Sequence, residues 1–325
     1  MKEEEIRPKE IFDEYLRLAA EDAQIYFGNS KRIAIDCPAC GGDGQYVFSK
    51  HGFEYDECPD CQSLYVNPRP PVEDFFHYYT DSASAKFFAT TFYKVTAEAR
   101  RLKLWKPKAE LIHKVLCERE CDHFDIYDVG GGYGIFAEEY ERLSGSRNVT
   151  VIEPGPHLAQ VCRNKGFPVI QSFLEDVAVE QVSENAKAFV SFELFEHLHD
   201  PGFFLDCLSK LMTPGDLFIF TTLSSAGLDL QLLWDKSNSI SLQHLNFFNP
   251  RSIKKLLQKK SFNVISVATP GKLDMDIILK NRNYVSDRFW RNLTANLTQE
   301  GCEEWQKFIS DHGYSSHMLV ICERA

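Results

Sequence analysis

The sequence predicts an α/β protein in which a mostly parallel sheet is covered by helices and preceded by a small cysteine-rich module. Three observations predict this. From about residue 122 onward, short apolar runs alternate with helical stretches, the pattern of a sheet covered on both faces. Within that region, 124–136 reads Phe-Asp-Ile-Tyr-Asp-Val-Gly-Gly-Gly-Tyr-Gly-Ile-Phe, an apolar strand, a glycine turn and a helix start. Nearer the N-terminus, Cys37, Cys40, Cys58 and Cys61 are spaced C-x2-C-x17-C-x2-C.

Composition bounds the answer. At 325 residues the chain has room for roughly two domains. It is 44% apolar and 13% aromatic, enough for a packed core. The net charge of -11, with no long Lys/Arg run, argues against a broad nucleic-acid footprint. No apolar run approaches the length of a membrane span. The first residues, Met1-Lys-Glu-Glu-Glu, lack the apolar core of a signal peptide, so a cytoplasmic location is expected. Disulfides are rare there, and ten cysteines then call for metal or for burial.

Taken in order, 1–32 reads as a helix, with Ile11, Phe12, Tyr15 and Leu16 on one face, suited to packing or to a homo-oligomer contact. Residues 33–70 form the cysteine module. Each C-x2-C pair suits a tight knuckle, and four thiolates close a tetrahedral site with no open position for water, which describes structural zinc. A redox dithiol pair or an iron–sulfur site suits the spacing less well. Between the pairs, alternation around Lys50-His51-Gly52 predicts a hairpin with His51 at its tip. After the stiff Asn67-Pro-Arg-Pro-Pro71, an aromatic-rich helical cap is expected over 71–121. Packing accounts for its aromatics; a sharper expectation places Tyr78 or Tyr79 and an arginine among 100–101 at the mouth of a site. Strands are then predicted over 148–152, 167–170, 188–192, 217–222, 262–268 and 317–322. Helices are predicted from 135, after Pro156, from the Asp200-Pro201 cap and over 253–260, with a helical insert around Phe289, Trp290 and Trp305.

The glycine turn is not a dinucleotide fingerprint, because the G-x-G-x-x-G/A pattern would place its third glycine at Ile135. Asp128, Gly130, Gly132 and Gly134 instead give D-x-G-x-G-x-G, which resembles motif I of the class I S-adenosylmethionine (SAM) methyltransferases. Glu153 closes the next strand about twenty residues on, where a carboxylate can accept both hydroxyls of a ribose. Glu193-Leu-Phe-Glu196-His197-Leu-His-Asp200-Pro201 is similar to the E-x-x-E-H-x-x-D-P segment of methyltransferases with small acceptors. Leu211-Met-Thr-Pro-Gly215 resembles their L-x-P-G-G turn, with Asp216 replacing the second glycine. Gln243-His244-Leu-Asn-Phe-Phe248 resembles the E-H-x-x-F-F segment of enzymes acting on sugars. The resemblance covers 122–325 and implies a Rossmann-like seven-stranded sheet whose last strand is antiparallel. A four-cysteine module before such a domain resembles the deoxysugar C-methyltransferases. The expectation here is of no large C-terminal domain like theirs, and Gln243 stands in place of Glu, so O-methylation stands at least level with C-methylation.

What the resemblance implies for the site follows. Asp128, Gly130, Gly132, Gly134 and Glu153 hold the donor. Phe173 and Leu174 wall the adenine, and Phe192 and Glu193 complete the cofactor side. His244 and His197 are the candidate bases, because histidine titrates near neutrality. His244 is favoured, since it lies in the long loop after strand five; a structural histidine bonding the loop backbone is the competing account. His197, with Glu196 fixing its tautomer, would orient the strand-four loop. His199 reads as a solvated loop residue. The expected activity is methyl transfer from SAM to a small-molecule or glycan-linked acceptor. The rivals are an RNA base methyltransferase with a zinc module and a non-catalytic SAM-binding subunit.

Overall fold

A computed structural model describes all 325 residues. It contains eleven strands: β1 (Gln45–Lys50), β2 (Phe53–Glu57), β3 (Leu64–Val66), β4 (Asp125–Val129), β5 (Val149–Ile152), β6 (Val169–Ile170), β7 (Lys187–Phe192), β8 (Leu217–Leu223), β9 (Asn246–Phe247), β10 (Phe262–Ala268) and β11 (His317–Arg324). The chain forms two compact units, each assembled from three stretches. One comprises Arg100–Thr222, Lys254–Val267 and Leu319–Ala325; the other comprises Met1–Ala99, Leu223–Ile253 and Ala268–Met318.

The first unit carries a seven-stranded sheet in the order β10-β11-β8-β7-β4-β5-β6. Its central strands pair in parallel, with Asp128 opposite Val151 of β5 on one side and Val190 of β7 on the other. β11 is antiparallel: its end at Arg324 bonds the start of β8 through Gly215 and Asp216. Parallel strands covered on both faces must be apolar throughout, and β7 is buried at all six positions. Its first residue, Lys187, is buried too and is neutralised by Asp216 at 3.1 Å. Asp216 also accepts from the Lys187 N–H and from Thr213. The replacement of the expected second glycine by Asp216 is thereby accounted for. Phe136, Tyr140, Ile126, Val190 and Ile219 belong to the core of this unit.

Winding proceeds from β4 outward to β5 and β6, then returns to β7 on the opposite side of β4. Open α/β sheets of this kind bind ligands beyond the carboxyl end of the strand at such a switch point, which here is β4.

The second unit holds the helix Lys9–Phe27 and a four-stranded sheet in the order β1-β2-β3-β9. β1 and β2 form the expected hairpin, with Lys50 opposite Phe53. His51 (φ 53°) and Gly52 (φ 79°) take the two left-handed positions that a tight two-residue hairpin turn needs. Phe27, Phe53, Tyr55, Phe75, Tyr78 and Phe247 pack the core behind this sheet. Three further helices, Asp274–Lys280, Arg288–Asn296 and Gln299–Asp311, make the aromatic insert.

Several elements differ from the sequence reading. The strand expected over 167–170 is reduced to β6, because Pro168 cannot donate to a ladder. The helix expected from Ile253 begins at Pro250, where the Asn249 side chain accepts from the Arg251 and Ser252 N–H groups. The two-residue strand β9 was not anticipated at all. No helix is long and apolar enough to cross a membrane.

Candidate donor and metal sites

The glycine turn follows β4 directly. Gly130, Gly132 and Gly134 have φ of 69°, 55° and 66°, a region where a Cβ crowds the following carbonyl. Gly134 ends the turn at the start of the helix Ile135–Ser144. Gly131, between them, is required for a different reason. A Cβ there would lie 2.7 Å from Val151 Cγ1 and 2.8 Å from Asp128 Oδ2. At Gly132 a Cβ would meet only the Gly130 carbonyl oxygen, at 4.0 Å, so this part of the turn is open to an approaching group.

Glu153 stands one residue beyond β5. Its Oε2 accepts from the Gly132 N–H at 3.0 Å and its Oε1 from the Gly155 N–H at 2.8 Å. The carboxylate is thus locked to the turn while each oxygen keeps a second lone pair. Burial raises its pKa, and the two N–H groups act against that rise. Asp128 is buried, and its Oδ2 has no hydrogen-bond partner. Burial, with Glu153 adding, pushes the Asp128 carboxyl up to about 7. Of the expected adenine walls, Leu174 is buried and Phe173 is 47% exposed.

β7 delivers Phe192 and Glu193. The Phe192 ring is buried, 4.7 Å from Phe136 and 6.0 Å from Trp105. Glu193 has φ 53°, which turns the chain sharply off the strand. Its Oε1 accepts from Lys108 Nζ at 2.7 Å and from Thr221 Oγ1 at 2.8 Å. The same ammonium lies 5.2 Å from the Trp105 and Phe192 ring centres, within cation–π range. Lys108 comes from the helix Lys106–Glu118, and no motif marks it.

Glu196 is buried and accepts from Thr222 Oγ1 at 2.9 Å. Burial, with Glu193 adding, pushes its carboxyl well above the usual carboxylate range. His197 ends a short turn, Phe195–His197, and is half-buried. In the other unit, His244 is also half-buried, with Nδ1 2.7 Å from the Ser239 carbonyl oxygen. A carbonyl only accepts, so Nδ1 carries the proton and Nε2 is the basic nitrogen of the neutral ring. Tyr78 is fully buried and bonds Ser84 and Gln243, a packing position; Tyr79 is 44% exposed.

The four patterned cysteines converge, and their Sγ atoms all lie within 4.8 Å of one another. The pairs Cys37–Cys61 and Cys40–Cys58 are 3.5 Å and 3.4 Å apart. A tetrahedron with zinc–sulfur bonds of about 2.3 Å has edges of about 3.8 Å, so these two edges lie within a few tenths of an ångström of it, and four converging thiols are the donor set a tetrahedral ion takes. His51 stays outside this cluster, and burial pulls its pKa down to about 4. The glycines and Glu153 that the sequence singled out stand together, and its four cysteines converge. The sequence did not single out Gly131, whose neighbours are local, nor Lys108, Thr221 and Asn249, whose partners are distant in sequence.

Residues 92–267 match the family model described as a methyltransferase domain, and that is more than half of the chain. The chain belongs to this family. The sheet order, the antiparallel β11 and the glycine turn after β4 agree with the class I fold of SAM-dependent members. Among curated proteins, it is similar to the ubiquinone biosynthesis O-methyltransferase of Xanthomonas oryzae pv. oryzae (strain PXO99A), at 32% identity over 106 residues. That match spans 30% of this chain and 43% of the relative. The human mitochondrial ubiquinone biosynthesis O-methyltransferase is 27% identical over 156 residues, 44% of this chain and 42% of that protein. The chain therefore spans less than half the length of either relative. Among solved structures, the plantazolicin methyltransferase BamL, in complex with a triazolic desmethylPZN analog and SAH, aligns with a TM-score of 0.48 at 12% identity. It covers 76% of this chain and 93% of that one.

Proposed function

We propose that the protein transfers a methyl group from SAM to a hydroxyl of a small-molecule or glycan-linked acceptor. The observation that carries this is Glu153, pinned by the Gly132 and Gly155 N–H groups beside an open glycine turn. A carboxylate so fixed suits the two hydroxyls of the donor's ribose, and the open turn at Gly132 suits the chain of atoms that follows. Bound there, SAM supplies a methyl already activated on a sulfonium.

What the protein must add is alignment, exclusion of water and removal of a proton. Asp128 supports the turn from below. Lys108 and Thr221 hold Glu193, so the exit of β7 presents a fixed carboxylate to the donor side; Phe192, with its ring in the core, serves through its backbone. Phe173 and Leu174 wall the adenine. His244 is the general base: the Ser239 carbonyl orients its ring and sets the tautomer with a basic Nε2. His197 positions the β7 loop beside Glu196. Cys37, Cys40, Cys58 and Cys61 would hold a structural Zn2+, whose four thiolate ligands leave no place for a reacting water.

A hydroxyl acceptor is supported by the O-methyltransferase names of the curated relatives. A sugar-type acceptor is supported by the Gln243-His244-Leu-Asn-Phe-Phe248 segment. Label transfer from methyl-tritiated SAM to a panel of phenols and nucleotide-linked sugars tests the reading. Transfer to one class, abolished in Glu153→Ala, is the expected result. SAM binding with no transfer to any hydroxyl, or with transfer to carbon alone, would overturn it.

A further inference from the structure

The second cysteine knuckle does more than close a metal site. Asn249 Nδ2 donates to the Cys61 carbonyl at 2.8 Å and to the Gln62 carbonyl at 2.9 Å. Ser225 Oγ donates to the same Gln62 carbonyl at 3.0 Å, and the Ser225 N–H bonds the Phe248 carbonyl at 2.7 Å. Gln62 itself has φ 59°, a left-handed conformation uncommon for a side-chain-bearing residue. Closure of the knuckle fixes it there: the Gln62 N–H bonds the Cys58 carbonyl, and the Cys58 N–H bonds the Ser63 carbonyl.

Two residues further on, the knuckle becomes β3, whose edge is completed by β9. Leu64 pairs with Phe247 and Tyr65 with Asn246, and the Val66 N–H bonds the Leu245 carbonyl at 3.0 Å. Arg69, almost fully buried, donates to Asn246 Oδ1 at 3.1 Å. From the hairpin, Lys50 Nζ donates to the Ser237 carbonyl at 2.7 Å. His244 stands immediately before this stretch, and its Ser239 partner follows Ser237 by two residues. The segment carrying the histidine is therefore anchored at both ends on the cysteine module, and it contains only one two-residue strand of its own.

We propose that metal occupancy of the four-cysteine site sets the conformation of the 237–249 segment, with Asn249 as the positioning residue that transmits it. A filled site locks the knuckle carbonyls where the Asn249 amide needs them. An empty one lets Gln62 relax and releases β9. This inference rests on the reading of His244 as the base, and it makes the cysteine module part of acceptor selection. Donor binding, built on the 128–155 stretch, is not part of the coupling.

Asn249→Asp isolates the link. Aspartate keeps the helix cap that Asn249 Oδ1 provides but replaces the donor to both knuckle carbonyls with an oxygen. The test uses the full chain loaded with Zn2+. Metal affinity is read by competition with a chromogenic chelator, and order in the loop by amide hydrogen exchange over 237–248. Coupling is reciprocal, and partners behind a metal's ligands typically change affinity roughly 10- to 100-fold. The variant should bind Zn2+ at least about tenfold more weakly, exchange faster over 237–248 and bind S-adenosylhomocysteine within about twofold of wild type. Unchanged zinc affinity, or unchanged exchange over 237–248, would overturn the proposal. Neither readout needs an acceptor, so intact coupling without methyl transfer would overturn only the functional reading. Lost coupling with normal transfer would overturn only this inference.

Discussion

The glycine turn at 130–134 and the cysteine module at 37–61 are both tight turns of the main chain, built from opposite materials. The turn is made by absence: three left-handed glycines and a fourth, Gly131, with no room for a side chain. The parts that hold it, Asp128, Val151, Glu153 and Gly155, lie within 28 residues of sequence, counting 128 through 155. The module is made by presence. Four thiol side chains converge, and its sheet is finished by β9, some 180 residues further along the chain (|i−j| = 177 for Arg69–Asn246). A lesion in the first should weaken donor binding and spare the metal; a lesion in the second should do the reverse.

The largest effect expected is removal of the metal. Structural zinc contributes on the order of 10 kcal/mol to the fold that holds it. Cys58→Ser, or chelation, should expose the 37–69 stretch to trypsin while the seven-stranded sheet stays protected. Simultaneous cleavage within 125–192 would erase the distinction between the two regions.

Gly131→Ala comes next. Its methyl would press on Val151 and Asp128, and overpacking of this kind costs about 1–3 kcal/mol. Gly145, at φ 71° but with open space around it, serves as the control, where only the backbone penalty of about 1–2 kcal/mol applies. Urea midpoints should fall for both. Only Gly131→Ala should also lose affinity for S-adenosylhomocysteine.

Lys108→Met should follow at about 1–2 kcal/mol, because the Lys108–Glu193 pair is partly exposed and a broken pair costs less there than in a dry core. Donor affinity should fall with it, and metal content should not. Unaltered binding would remove Lys108 from the donor side.

A further effect concerns pH. Asp229, buried near Asp274, is pushed from 3.8 up to about 8 by burial first and by Asp274 second. A carboxyl raised on folding adds stability below its unfolded pKa, and that contribution is lost as pH rises through the folded one. Wild-type stability should therefore fall between about pH 4 and pH 8, and Asp229→Asn should flatten that fall. Urea midpoints at pH 5 and pH 8 for both proteins decide it. An equal slope in the two would mean that Asp229 does not hold its proton.

Legibility in the sequence follows the same division. The central strands are continuous apolar runs, the glycines are forced by positive φ, and Glu153 sits at a fixed distance from them, so the turn and its carboxylate could be read locally. The cysteine spacing was equally plain. What could not be read was the company these residues keep. Lys108 lies in a helix with no motif, and its role exists only because β7 brings Glu193 to it. β9 is too short to have a periodicity. Asn249 looks like an ordinary helix cap, and half of its amide serves as one; the other half reaches a knuckle 188 residues away. Asp216 looked like a lost glycine until Lys187 appeared buried beside it.

The central claim is that donor binding and acceptor chemistry reside in separate parts of the chain. Calorimetric titration of S-adenosylhomocysteine into Glu153→Ala and His244→Ala, side by side with turnover, tests it most directly. Loss of two hydrogen bonds to a charged group should weaken Glu153→Ala by about 2–4 kcal/mol, on the order of 100-fold in Kd. His244→Ala should bind within about twofold of wild type and lose methyl transfer by roughly 100-fold or more. If Glu153→Ala binds the donor product normally, or if His244→Ala turns over at the wild-type rate, the account is wrong.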